Sequence, residues 1–202
     1  MDIKLLMGST IALLALVNPI QKIFVITSLQ NQFTDEQLKY LSAKASMTAL
    51  IILIFFLFLG QLIFNYIFNI QLYAFQVTCG VVLFYNGIGG LQRGVILQID
   101  QKIKLSDLSA VPIAMPMIAG PATITAAVTF PAHYGKLVTI TAIISALFLN
   151  LVIMIYSKNI GRLLTKYNLM NAMVRIIGLI VATIGVQMIF NGLTNFITLL
   201  KQ

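Results

Sequence analysis

Of 202 residues, 59% are hydrophobic and only 9% charged, and the mean hydropathy is +0.98; a soluble domain, with about a quarter of its residues charged, is excluded. The formal net charge of +8 comes from Lys and Arg scattered between apolar stretches, so no basic domain for nucleic acid is built and membrane topology is the better explanation. One cysteine, Cys79 in an apolar run, and one histidine, His133 in a short connection, exclude an intramolecular disulfide and supply too few ligands for a metal site.

Six stretches are long and apolar enough to cross a bilayer, at about 5–29, 45–68, 72–92, 108–130, 137–156 and 174–199. Residues 69–71 and 131–136 read as tight turns, while 30–44, 93–107 and 157–173 carry most of the charge. No room remains for a soluble domain, so 1–202 is expected to form a single all-α transmembrane domain.

The first segment contains "ALVNPIQKIFVIT". It reads as a span rather than a cleavable signal, because only Lys4 stands beside Asp2 and no A-x-A site follows. Asn18-Pro19 interrupts it: proline lacks an N–H and displaces the carbonyl one turn earlier, at a cost of about 3 kcal/mol inside a helix. Hydrocarbon offers no water to repair the break, so irregular backbone at that depth must be buried in protein or line a wet cavity. Lys22, about one turn on, is the one charge placed inside the membrane. Two readings of it stand: its stem carries the ammonium to the headgroups, or it is a fixed cation beside a solute site that attracts a carboxylate or replaces a coupling ion.

The third segment holds "CGVVLFYNGI" at 79–88, and the sixth holds "IGVQMIFNGL" at 184–193, an offset of 105. Between them the fourth segment, "VPIAMPMIAGPATITAAVT", is broken at Gly120-Pro121, which matches Asn18-Pro19 at an offset of 102 and aligns Thr27 with Thr129. The chain thus reads as two halves of three segments, about 1–98 and 104–202. An odd number of spans inverts the second half, and inverted repeats with broken helices at corresponding positions point to a transporter's midplane site.

Near segment ends, Lys39, Lys44, Arg93, Lys102, Lys104, Lys158, Arg162, Lys166 and Arg175 lie on one side, and Lys4, Lys136 and Lys201 on the other. The positive-inside rule then places both termini outside the cytoplasm.

The five acidic residues, Asp2, Asp35, Glu36, Asp100 and Asp107, all fall in ends or loops. A carboxylate proton relay is therefore disfavoured. No nucleophile–base pair or carboxylate pair suggests an enzyme, and nothing calls for a cofactor. The polar groups left in the membrane are neutral. Asn18, Gln21, Thr123 and Thr125, with Pro19, Lys22, Gly120 and Pro121, are the candidate substrate-binding set. Asn86 and Asn191 are read first as helix-to-helix glue and second as solute contacts.

"NPIQKIFVITSL" and "VPIAMPMIAGPATITAAVTF" resemble the two signature segments of the MarC family of bacterial and archaeal membrane proteins, and the resemblance spans essentially the whole chain. Where family members usually read Gly-Asn after the first proline and one further residue, this chain has Gln21-Lys22; where they read Gly-Pro-Gly, it has Gly120-Pro121-Ala122. The resemblance implies a multi-pass protein of the cell (inner) membrane with two inverted three-helix repeats and, for some members, transport of small neutral amino acids such as glycine and alanine. Three functional classes follow: a secondary transporter of a small-molecule substrate, a passive facilitator, and a non-transporting scaffold.

Overall fold

The computed structural model describes residues 2–30, 32–93, 117–166 and 169–201 and has no strand among them. In chain order the helices are α1 (Ile3–Val17), α2 (Pro19–Leu29), α3 (Asp35–Leu62, continued by a π-helical turn Ile63–Ile67), α4 (Leu72–Arg93), α5 (Pro121–Tyr134), α6 (Lys136–Ile155), α7 (Ser157–Lys166) and α8 (Met170–Leu200). Five stretches are long and apolar enough to cross a membrane: Ile3–Thr27, Asp35–Ile67, Leu72–Gln92, Lys136–Ile155 and Ala172–Leu200. They match five of the six expected segments. The remaining one, 108–130, is represented by α5, whose 14 residues are too few to span alone. Its first part, 108–116 with Pro112 and Pro116, lies outside the described residues, as do 94–107 of the third connection.

Several boundaries differ from those expected, each for a local reason. Helix α3 begins at Asp35 rather than near 45, because Thr34 and Gln37 form a reciprocal capping box: Gln37 N–H donates to Thr34 Oγ1 at 3.3 Å and Thr34 N–H to Gln37 Oε1 at 2.9 Å. The connection 157–173 contains α7, a helix with polar and apolar faces that the hydropathy reading passed over as a charged loop. Residues 131–136 contract to a single hinge at Gly135, whose φ of 83° a side-chain-bearing residue rarely adopts.

Helix α1 packs on α6, α3 on both α5 and α6, and α2 on α7. Where these meet, Ala45, Ala49, Ala127, Ala142 and Ala146 are buried beside Leu13, Leu41, Leu53 and Ile143. Small residues suit this position: in lipid, burial between helices brings little hydrophobic gain, and association depends on close van der Waals approach.

The most extensive pairing is α4 with α8, and glycine makes it. A Cβ on Gly80 would lie 2.6 Å from the Gly185 carbonyl oxygen, and one on Gly185 would lie 2.6 Å from that of Gly80. Seven residues further along α4, Gly87 faces the carbonyl of Gly178, and towards the other end Gly192 faces that of Tyr73. As one helix advances by seven the other retreats by seven, so the two run antiparallel with their backbones in contact. The repeated sequence therefore packs against its own copy.

Candidate functional site at the two helix breaks

The first break is a single residue. Asn18 adopts φ 54°, ψ 70°, the left-handed region that asparagine tolerates better than most side chains. Its N–H closes α1 on Leu14 O at 3.0 Å, while its side-chain oxygen accepts from Gln21 N–H at 3.4 Å and opens α2. Pro19 fills the first position of α2, where its missing N–H costs nothing. Asn18 thus ends one helix and starts the next, leaving its amide Nδ2 buried without a hydrogen-bond partner.

The second break has the same proline position. Pro121 opens α5 after Gly120, which sits in extended backbone. Thr123 supplies what glycine lacks: its hydroxyl donates to Ile118 O at 2.8 Å or to Gly120 O at 2.9 Å, and Ile124 N–H also reaches Gly120 O at 2.9 Å. Thr125 does not bridge this break. Its hydroxyl turns back one helical turn to Pro121 O at 2.9 Å, inside its own helix.

Lys22 joins the two. In an unbroken helix Val17 O would accept from the amide of Gln21, but that amide serves Asn18. The Lys22 ammonium takes the vacated carbonyl and also donates to Met117 O at 2.6 Å, from the turn that precedes Gly120. The side chain is 1% exposed and points towards the break, away from the far end of its segment, so it does not extend to headgroups.

Beside the breaks lies a cavity of about 430 Å³, within the range of about 300–1,000 Å³ usual for small-molecule sites. Asn18 and Gln21 line it from the first break, and Gly120, Pro121 and Thr123 from the second; Asn86 lines it from α4. Apolar side chains of Leu16, Val82, Leu83, Val181 and Ile184 make up most of the remainder. The first turns of α2 and α5 thus face a common space, where N–H groups without intrahelical partners and the positive end of the helix dipole favour an anionic group.

Of the ten residues singled out in the sequence, six share this wall. Pro19, Lys22 and Thr125 do not line the cavity; Lys22 and Thr125 are buried, and Lys22 is bonded to the carbonyl of Met117, which does line it. Asn86 and Asn191, equivalent in the repeated sequence, part company: Asn86 reaches the cavity, whereas Asn191 is exposed and accepts from Gln187 of its own helix at 2.9 Å. The sequence reading missed Gly87 and Gly178, which also line the cavity. Their signal was present in the seven-residue spacing of Gly80 and Gly87 and of Gly178, Gly185 and Gly192.

Residues 3–197 match the family model described as MarC family integral membrane protein. A UPF0056 membrane protein of Pyrococcus horikoshii is 35% identical over 190 residues, covering 94% of each chain. One of Aquifex aeolicus is 31% identical over 197 residues, 93% of this chain and 91% of that one. The UPF0056 membrane protein YvbG of Bacillus subtilis is 32% identical over 206 residues, 95% of each. No solved structure matches.

Proposed function

The chain belongs to the MarC family of integral membrane proteins, and on that premise we propose that it is a secondary transporter of small neutral solutes. The substrate class is small neutral amino acids such as glycine or alanine. The observation that carries this reading is the cavity on which the N-terminal turns of both half-helices converge. A zwitterion's carboxylate suits the N–H groups of those turns, and the unpartnered Asn18 amide is a further donor. The apolar remainder of the wall suits a small aliphatic side chain. No enzymatic role is assigned.

The architecture that goes with this function is a pair of inverted three-helix repeats. Gly80 and Gly185, 105 residues apart, lie against each other, and the Gly87–Gly178 contact has its counterpart in Gly192–Tyr73. A second pair of contacts is similar to within one residue: Gly60 abuts Val128 and Gly161 abuts Thr27, with Gly161 101 positions after Gly60 and Val128 adjacent to Thr129, the residue aligned with Thr27. A two-fold axis in the membrane plane, passing between Gly80 and Gly185, generates both relations. The protein is assigned to the cell (inner) membrane with both termini outside the cytoplasm, on the Lys and Arg distribution.

The test is uptake and counterflow of radiolabelled small amino acids by the purified protein in proteoliposomes. Accumulation against a gradient supports coupled transport. Equilibration without accumulation makes the protein a facilitator. Absence of flux for every small neutral amino acid, with binding also absent, overturns the reading.

A further inference from the structure

The Lys22 ammonium is used on backbone. Its two acceptors, Val17 O and Met117 O, come from different broken segments, and each lies just before its break. Carbonyls at such ends have lost their helical partners, and at the end of α1 the helix dipole adds partial negative charge. The acidic residues nearest in sequence, Asp35 and Glu36, belong to the first turn of α3, and Asp2 caps the far end of α1. Lys22 is also absent from the lining of the solute cavity, to which Met117, one of its two bonded partners, contributes.

Unwound carbonyls and half-helix C-termini are the groups with which broken-helix transporters coordinate a monovalent cation. We propose that Lys22 is a tethered cation: its ammonium occupies a carbonyl site that would otherwise take a small monovalent cation, and it joins the two breaks without any dissolved ion. Removing the side chain uncovers that site. The site stands on the carbonyl geometry alone; only its consequence, closure of the solute site without a bound ion, rests on the transport reading.

The experiment is thermal unfolding of the purified full chain and of Lys22→Ala in choline, sodium, potassium and ethylammonium chlorides at equal ionic strength. Wild type is expected to melt at the same temperature in all four. Lys22→Ala is expected to melt lower in choline by roughly 5 °C or more, and to regain most of the loss, saturably, with sodium, potassium or ethylammonium. A loss indifferent to all three, or a wild-type melting temperature in choline, overturns the proposal. Lys22→Gln keeps a donor without charge and serves if the alanine variant does not fold. It is expected to show the same cation response, and wild-type melting in choline would mean that a neutral donor suffices, which also overturns the proposal. Flux is not the readout, so a negative result leaves the transport reading intact, and an absence of flux in wild type leaves the cation site intact.

Discussion

Gly80 and Gly185 meet backbone to backbone: a Cβ on either would stand 2.6 Å from the carbonyl oxygen of the other. Neither neighbour is the movable end of a side chain, so the helices themselves must part to admit one. Gly80→Val and Gly185→Val are each expected to destabilise the protein by about 3 kcal/mol, at the upper end of overpacking costs. Gly89→Ala on the same α4, where a Cβ meets nothing within 4 Å, should instead stabilise by up to about 1 kcal/mol through helix propensity. Melting temperatures in detergent check the contrast.

Asn18 performs a backbone task and a side-chain task that substitution can separate. Glycine accepts the left-handed conformation freely but has no amide, whereas alanine lacks the amide and also strains the backbone. Asn18→Gly is expected to fold with a loss of no more than about 1 kcal/mol while weakening solute affinity at least roughly tenfold, as the loss of one buried polar contact does. Asn18→Ala should lose stability as well. Equal affinity in Asn18→Gly and wild type, measured by counterflow, would remove Asn18 from the site.

At the second break, Pro121→Ala restores an N–H where the chain now has none, and the break becomes less sharply defined. Transport is expected to fall roughly tenfold or more with little change in melting temperature. Thr123→Val leaves Ile118 O and Gly120 O without their hydroxyl partner, at about 1–3 kcal/mol for a buried acceptor left unpaired. Flux from well-folded samples of both variants is the measurement, and wild-type rates in both would place the solute elsewhere.

Gly161 on α7 abuts Thr27 on α2, and Gly60 on α3 abuts Val128 on α5. Alanine at either position requires its neighbour to shift, so each variant should lose about 1–3 kcal/mol. The two losses should be similar in size and additive in the double variant, since the contacts share no residue. Strong non-additivity in melting experiments would show that they belong to one cooperative contact.

The parts of the fold that depend on local chemistry were legible in the sequence. Hydropathy located five spans, and the two X-Pro steps located both breaks to the residue. The polar residues of the cavity wall were among those singled out, because a broken helix in lipid must bring its polar groups together, whereas its aliphatic side chains were not. What sequence could not show was side-chain direction. Lys22 lies one turn past Pro19 on either reading of it, and only the distance to Met117 O reveals that it spans two segments remote in the chain. Thr125 looked equivalent to Thr123, yet Thr123 reaches across the break and Thr125 bonds within its helix. The start of α3 was missed because hydropathy weighs residues 35–44 as loop, while a capping box overrides composition there.

The seam between α4 and α8 also bears on how such a chain can change over generations. Its contacts recur every seven residues on both helices, so inserting or deleting one residue between Gly80 and Gly87, or between Gly178 and Gly192, would rotate every later position by about 100° and turn glycines away from their partners. A change of length within these stretches would therefore break the seam, whereas one in a connection would leave its register intact. The offset between corresponding motifs changes from 102 at the prolines to 105 at the seam, whereas the seven-residue spacing of the facing glycines is the same on both helices.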